Sequence, residues 1–154
     1  MIITAAPPPL NISDNINNIS CEGELQLNIY SENGQIHTVE SASIKNLRQH
    51  QFTVDRSDEK DRTYTGVLLK ELLYSLDVKL EGIRQIIARA SDGYAAALPI
   101  EKVIEVDEVF VVYRINAQPL STRENTESGA YRMIITNDEY SQRWIEFLTE
   151  IELR

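Results

Sequence analysis

The chain has a single cysteine, Cys21, and two histidines, His37 and His50. A lone cysteine forms no internal disulfide, and this inventory cannot assemble a zinc site of the Cys/His kind. Long apolar runs are missing too: none approaches the roughly 20 residues that a membrane helix needs. Positive charge is scarce, with 15 Lys and Arg against 24 Asp and Glu and a net charge of −9. Such a chain repels phosphate backbones, which excludes nucleic acid and anionic membrane surfaces as partners. The common enzyme signatures are absent: no G-x-S-x-G, no H-E-x-x-H, no Walker loop and no dinucleotide fingerprint. Proline is thin after the start, since Pro7, Pro8 and Pro9 are three of the five. No internal repeat is present.

What remains is ordinary for one globular domain. The 154 residues are 42% apolar and 25% charged, enough to bury a real core. Residues 1–23 read as a tether. Ala5 to Pro9 is stiff and extended, and Asn11 to Ser20 is polar without a sustained period. Met1 to Thr4 is too short for the apolar part of a signal peptide. A polar spacer ahead of a compact domain suits an exported bacterial protein whose signal was removed upstream; a cytoplasmic protein is the other option. Cys21 closes the tether and reads as a lone small residue.

The folded part, residues 24–154, reads as strands with few helices. Leu25, Leu27 and Ile29 alternate with polar residues at strand spacing. Asn33-Gly34 marks a turn, and Gln35 to Val39 a return strand. Ser41 or Ser43 can cap a short helix carrying Ile44 and Leu47. Gln51 to Val54 forms another strand, followed by a polar loop from Asp55 to Arg62. Leu68, Leu69, Leu72, Leu73 and Leu76 recur at helical spacing, so the longest helix is expected from about Val67. Val109 to Ile115 is a β-branched and aromatic run short enough for a strand buried on both faces. The acidic group Glu101, Glu105, Asp107 and Glu108 lacks the alternating ligands and glycine of a calcium loop and reads as a solvated helix end. Glu150 and Glu152 read as the outer face of a closing strand.

Ile83 to Val106 is the most telling stretch. It reads as a strand, a tight turn at Asp92-Gly93 and a second strand, since a primed turn needs positive φ. Pro99 ends the ladder because it has no N–H to donate. Ala90 to Glu101 resembles the central hairpin of the sulfite-oxidase-type molybdopterin-binding domain. Tyr64, Gly66, Val67, Leu69, Leu72 and Leu73 match that family's aromatic, glycine and "V-P-L-x-x-L-L" segment, with Leu68 where proline is common. Asn116 to Leu120 resembles its "N-G-x-x-L", Gly129 to Ile135 its "G-P-L-R-L-V-V", and Arg143 to Leu153 its "V-K-W-L-x-x-I" ending. The resemblance runs from about Glu24 to Leu153. It implies an α+β domain, mainly mixed β-sheet with a few short helices, like the middle domain of sulfite oxidases.

The resemblance also sets expectations about chemistry. In that family molybdenum is held by a pterin dithiolene and one protein thiolate, a soft ligand suited to the metal. The thiolate comes from a segment that corresponds here to about His50 to Tyr64. That segment holds no cysteine and is short, and Cys21 does not align with the ligand. No cofactor or metal ligand is therefore expected, and no catalytic residue is assigned. The family's tyrosine at the place of Tyr94 faces the metal, and Arg132 aligns with a family arginine. A surviving pocket would use Tyr94, Arg132, Arg89, Arg114 and Asp92. Each has a plainer alternative. Tyr94 can pack its ring on the core. Arg132 can form a buried ion pair. Asp92 can serve only as a turn residue. Arg89 and Arg114, expected on neighbouring strands, can cradle an anion or line a solvated face. Two function classes follow: a non-catalytic module that binds a small anion or a protein partner, or a reduced oxidoreductase that still binds molybdopterin.

Residues 1–19 contain too few apolar side chains to bury a share of the core. Deleting them is expected to leave the melting temperature unchanged, and a fall of many degrees would make them part of the fold.

Overall fold

The computed structural model describes residues 27–54, 62–120, 130–137 and 144–154. The expected tether at residues 1–23 and the Ser121–Ser128 loop lie outside these residues, as does all of the Asp55–Arg62 loop except Arg62. Two five-stranded sheets carry the fold. The strands are β1 (Leu27–Tyr30), β2 (Ile36–Val39), β3 (His50–Phe52), β4 (Tyr64–Leu68), β5 (Gln85–Ala90), β6 (Ala95–Pro99), β7 (Val109–Ile115), β8 (Gln118–Pro119), β9 (Arg132–Ile135) and β10 (Leu148–Leu153). Short helices α1 (Ser41–Lys45), α2 (Leu69–Ser75) and α3 (Ile100–Ile104) join them. This is the α+β architecture expected, rich in strands with few short helices.

The first sheet runs β2-β1-β10-β5-β6. β1 lies parallel to β10, and the other pairings are antiparallel. The first and last described strands are thus neighbours inside the sheet. β1 and β5 alternate buried and half-buried residues, the pattern of a sheet with one face on the core. The second sheet runs β3-β4-β7-β8, with β9 also on β7. Every residue of β4 and β9 is buried, the polar Thr65 and the charged Arg132 among them.

The chain crosses between sheets near its end. Met133 and Ile145 exchange two backbone hydrogen bonds at 2.8 and 3.0 Å, and Leu148 N–H donates to Tyr131 O at 3.0 Å as β10 begins. Phe147 sits at φ 57° at this switch. The buried apolar side chains of both sheets, with Leu69, Leu72 and Leu73 of α2, form one continuous cluster.

Some boundaries differ from the sequence expectation. The leucine stripe is helical only from Leu69, because Val67 and Leu68 pair with Val111 and Phe110 in the ladder. α1 starts with Ser41 already inside it; Glu40 holds the N-cap position and no side chain caps the helix. Neither expected serine cap forms. β3 begins at His50, one residue early, and ends at Phe52.

Gly66 has a steric reason. At the bulge of β4 a Cβ there would stand 2.3 Å from Val111 O and 2.8 Å from Val112 Cα, both backbone atoms. No rotamer relieves such a contact. Asn116-Ala117 forms the β7–β8 turn with both residues at positive φ, 52° and 68°. Asn116 suits this place, and it also clamps Thr63: its N–H donates to Thr63 O at 2.7 Å and its Oδ1 accepts the Thr63 N–H at 2.9 Å. Ala117 does not suit it, since a Cβ in the left-handed region costs about 1–2 kcal/mol.

Two opposite outcomes follow for two small residues. Gly66→Ala is expected to lose about 3 kcal/mol of unfolding free energy by overpacking against backbone. Ala117→Gly is expected to gain about 0.5 kcal/mol, the relieved strain less the entropy that glycine adds to the unfolded chain. Urea denaturation of both variants checks this; a neutral Gly66→Ala would mean that β4 and β7 are not so close.

Candidate functional site

The β5–β6 hairpin forms where the Asp-Gly signal puts it, but without a primed turn at Asp92-Gly93: the bonded turn runs from Ala90 to Gly93, and neither Ser91 nor Asp92 is at positive φ. Gly93 takes φ 94°. Its N–H donates to Ala90 O at 3.0 Å, and Ala90 N–H donates to Tyr94 O at 2.8 Å. Asp92 Oδ1 accepts the Tyr94 N–H at 3.0 Å, so Asp92 serves its own turn. Ser91 N–H reaches Phe147 O at 3.0 Å and ties the turn to the crossing segment. Tyr94 follows at the tip with 47% of its surface exposed. Tyr94 is thus not one of the buried residues that make the core.

Arg132 is the opposite case, only 5% exposed at the head of β9. Its guanidinium lies 5.7 Å from the Tyr64 ring centroid and 5.5 Å from that of Trp144. The two rings meet edge to face at 6.5 Å. Trp144 Nε1–H donates to Ile135 O at 3.1 Å and fixes its ring. A cation between two aromatic faces in the interior is held there by the ring quadrupoles. Phe52 and Phe110 extend the aromatic tier, 4.5 Å apart, with Phe52 5.8 Å from Tyr64.

The remaining arginines are engaged elsewhere. Arg89 Nη1 lies 2.7 Å from Glu152 Oε1 and 3.9 Å from Glu150 Oε2, and Arg154 Nε donates to Glu152 Oε2 at 2.8 Å. The Arg154 hydrogen bond, then that of Arg89, holds the Glu152 carboxyl below the usual carboxylate range. Arg114 Nη1 donates to Ala117 O at 3.4 Å, and its guanidinium stands 5.6 Å over the Tyr113 ring. Arg89 and Arg114 are not on neighbouring strands. β5 is flanked by β10 and β6, and β7 by β4 on one side and β8 and β9 on the other. The five expected residues thus divide: Arg89, Asp92 and Tyr94 belong to the first sheet's hairpin, Arg114 and Arg132 to the second sheet.

A charged cluster went unnoticed in the sequence. His50 Nε2 lies 3.9 Å from Glu71 Oε1, both atoms shielded from solvent and outside hydrogen-bond reach. Arg48 Nη2 stands 3.7 Å from Glu71 Oε2, and the His50 ring meets Phe110 edge-on at 5.4 Å. Lys70 bonds Asp107, and Lys102 bonds Glu108. The Lys70 hydrogen bond, with Arg48 and His50 nearby, lowers the Asp107 carboxyl from its ordinary value. Glu101, Glu105 and Asp107 are exposed, as a solvated helix end should be, and Asp107 and Glu108 in addition pair with lysines. The alternation of His50 with Phe52 was the available signal, but their partners come from α2 and the α3–β7 link. Among the described residues no group of three His, Cys, Asp or Glu could hold a metal. A cleft of about 410 Å³ lies between the β1–β2 turn and residues 77–81. Glu32, Asp77 and Glu81 outnumber Lys79 on its walls, so it does not suit an anion.

With this geometry in hand, comparison with known proteins places the class. A family model described as "Oxidoreductase molybdopterin binding domain" matches residues 23–154, and the chain belongs to that family. Its fold is also that of the sulfane dehydrogenase SoxCD from Paracoccus pantotrophus, with a TM-score of 0.66 at 16% identity. That match covers 84% of this chain and 38% of the SoxCD chain, so this chain spans well under half of its length. No curated protein matches. No helix among the described residues is long and apolar enough to cross a membrane.

The Glu152 arrangement has a signed consequence. Its carboxyl is depressed in the folded protein, so its stabilisation is present above the unfolded value of about 4.3 and is lost as pH falls through the lower folded value. Glu152→Gln is therefore expected to lower stability at neutral pH and to shrink the loss on acidification below about pH 4.3. Thermal melts across that range check it; an acid limb identical to the parent's would remove Glu152 from the explanation.

Proposed function

We propose that this member of the molybdopterin-binding oxidoreductase family is a non-catalytic module that binds a protein partner. The observation that carries the reading is the donor set. The matched segment, residues 23–154, contains no cysteine, and Cys21 lies ahead of it. A molybdenum centre held by protein sulfur therefore finds no thiolate in the domain, and no catalytic step is assigned to such a centre.

The anion side of the expectation weakens for a related reason. An anion or a pterin phosphate needs clustered, available cations. Arg89 is spent on Glu150 and Glu152, and Arg132 is enclosed by Tyr64 and Trp144. Tyr94 and Asp92 are the expected site residues that are exposed, and an exposed tyrosine at a hairpin tip suits a protein interface better than a small anion. The competing reading is a reduced enzyme that holds molybdopterin without a protein thiolate; the family match over the whole domain favours it.

Purification from a host that makes the molybdenum cofactor separates the two. Metal analysis is expected to find no molybdenum, sulfite is expected to remain unoxidised, and Cys21→Ser is expected to change nothing. Stoichiometric molybdenum, lost in the Cys21→Ser variant, would overturn the non-catalytic reading.

A further inference from the structure

The hydrogen-bond phase of the β5–β6 hairpin fixes which backbone groups face outward. Ala90 N–H donates to Tyr94 O at 2.8 Å, and Ile100 N–H donates to Arg84 O at 2.9 Å. With the register Ile86↔Leu98 and Ala88↔Ala96, the bonded pairs fall on even-numbered residues. Gln85 confirms the phase from the other side: it exchanges bonds of 3.0 Å with Arg154 of the terminal strand. The N–H and C=O of Ala95 and Ala97, and the C=O of Pro99, therefore point away from β5. Among the described residues β6 is the last strand of its sheet, and no turn, loop or cap hydrogen bond described there uses these groups. All three residues are exposed.

Open edges are normally guarded by charge, a bulge or a covering element. β6 carries no ionisable side chain and no bulge in its register. Among the described residues Pro99 is the guard that the strand itself carries, and it removes only the last outward donor. The opposite edge differs. Ser31 N–H to Gln35 O sets its phase, so Ile36 and Thr38 face outward, but the same outward run ends at Glu40.

We infer that the β6 edge joins a second copy of this chain, antiparallel about a two-fold axis through Ala97. In that arrangement Ala97 N–H donates to Ala97 O of the other copy in both directions, and each Ala95 N–H donates to the opposite Pro99 O. The absent Pro99 N–H then leaves only the Ala95 carbonyl at the rim unmatched, where water reaches it. Alanine side chains across the junction impose no clash and no like-charge contact. The row Ile87–Ala97 continues into its copy as one apolar line across a ten-stranded sheet. A contact of this length makes a weak, concentration-dependent dimer. It holds equally for a partner-binding module and for a pterin-binding enzyme.

Sedimentation of the full chain from micromolar to millimolar concentration, with amide exchange read in parallel, tests it. The expected result is a monomer–dimer equilibrium in which the Ala95 and Ala97 amides grow slower to exchange as concentration rises. Ala97→Lys places two ammonium groups at the axis and is expected to abolish both effects, while Ile36→Lys on the opposite edge keeps them. A chain that stays monomeric at millimolar concentration with fast-exchanging Ala95 and Ala97 amides overturns the inference. So does association that survives Ala97→Lys and is lost in Ile36→Lys. The exchange measurement on the unaltered chain stands even if a variant fails to fold.

Discussion

At Gly66 two strands come so close that only a hydrogen atom fits between them. A Cβ there would sit 2.3 Å from the Val111 carbonyl oxygen. The bulge that lets β4 follow β7 past this point also sets which side chains share a row. Tyr64 falls opposite both Phe52 and Ile115, and Leu68 falls opposite Phe110. The aromatic tier of Phe52, Tyr64 and Phe110 depends on that register, and Arg132, opposite Val112 on the far side of β7, is received by Tyr64. Moving the strands apart would disperse the rings that hold the guanidinium. One missing methyl group thus supports the whole interior of the second sheet.

Charge tells the same story from the surface. In a chain of net charge −9, cations are the scarce resource, and several of the described ones are engaged by carboxylates. Arg89 and Arg154 share Glu152, Lys70 takes Asp107, and Lys102 takes Glu108. Exposed pairs of this kind add little stability singly. Their larger effect is to take these cations out of any positive patch, the feature that small anions and phosphates recognise.

The succession of strands along the chain and the place of the hairpin were legible because their signals are local. Asp92-Gly93 marks the chain reversal, although the turn that forms is not the primed one, and the Val109–Ile115 run calls for a strand buried on both sides. The helix start was misjudged at Val67 because apolar residues at helical spacing look the same when two of them belong to a ladder. The site was less legible for a related reason. Arg89 and Arg114 each read correctly as strand residues, but which strands adjoin is decided by long-range pairing. The parallel contact of β1 with β10, between the two ends of the described chain, is the clearest case. The same limit hid the His50–Glu71 pair, since nothing local to a three-residue strand announces a partner on α2.

No cysteine lies within residues 23–154, so no protein thiolate helps to hold this fold. The features that hold this chain together are the Gly66 approach, the single apolar cluster spanning both sheets and the Met133–Ile145 crossing. None of them uses sulfur ligation. A structural zinc domain that loses a thiolate loses its folding free energy with it. Here the strands would pair and the core would close whether or not a thiolate stood nearby. Under the non-catalytic reading the scaffold still presents the β5–β6 hairpin, with exposed Tyr94 at its tip and the alanine strand β6 beside it. Those are surfaces suited to binding, and selection can act on them without first rebuilding the fold.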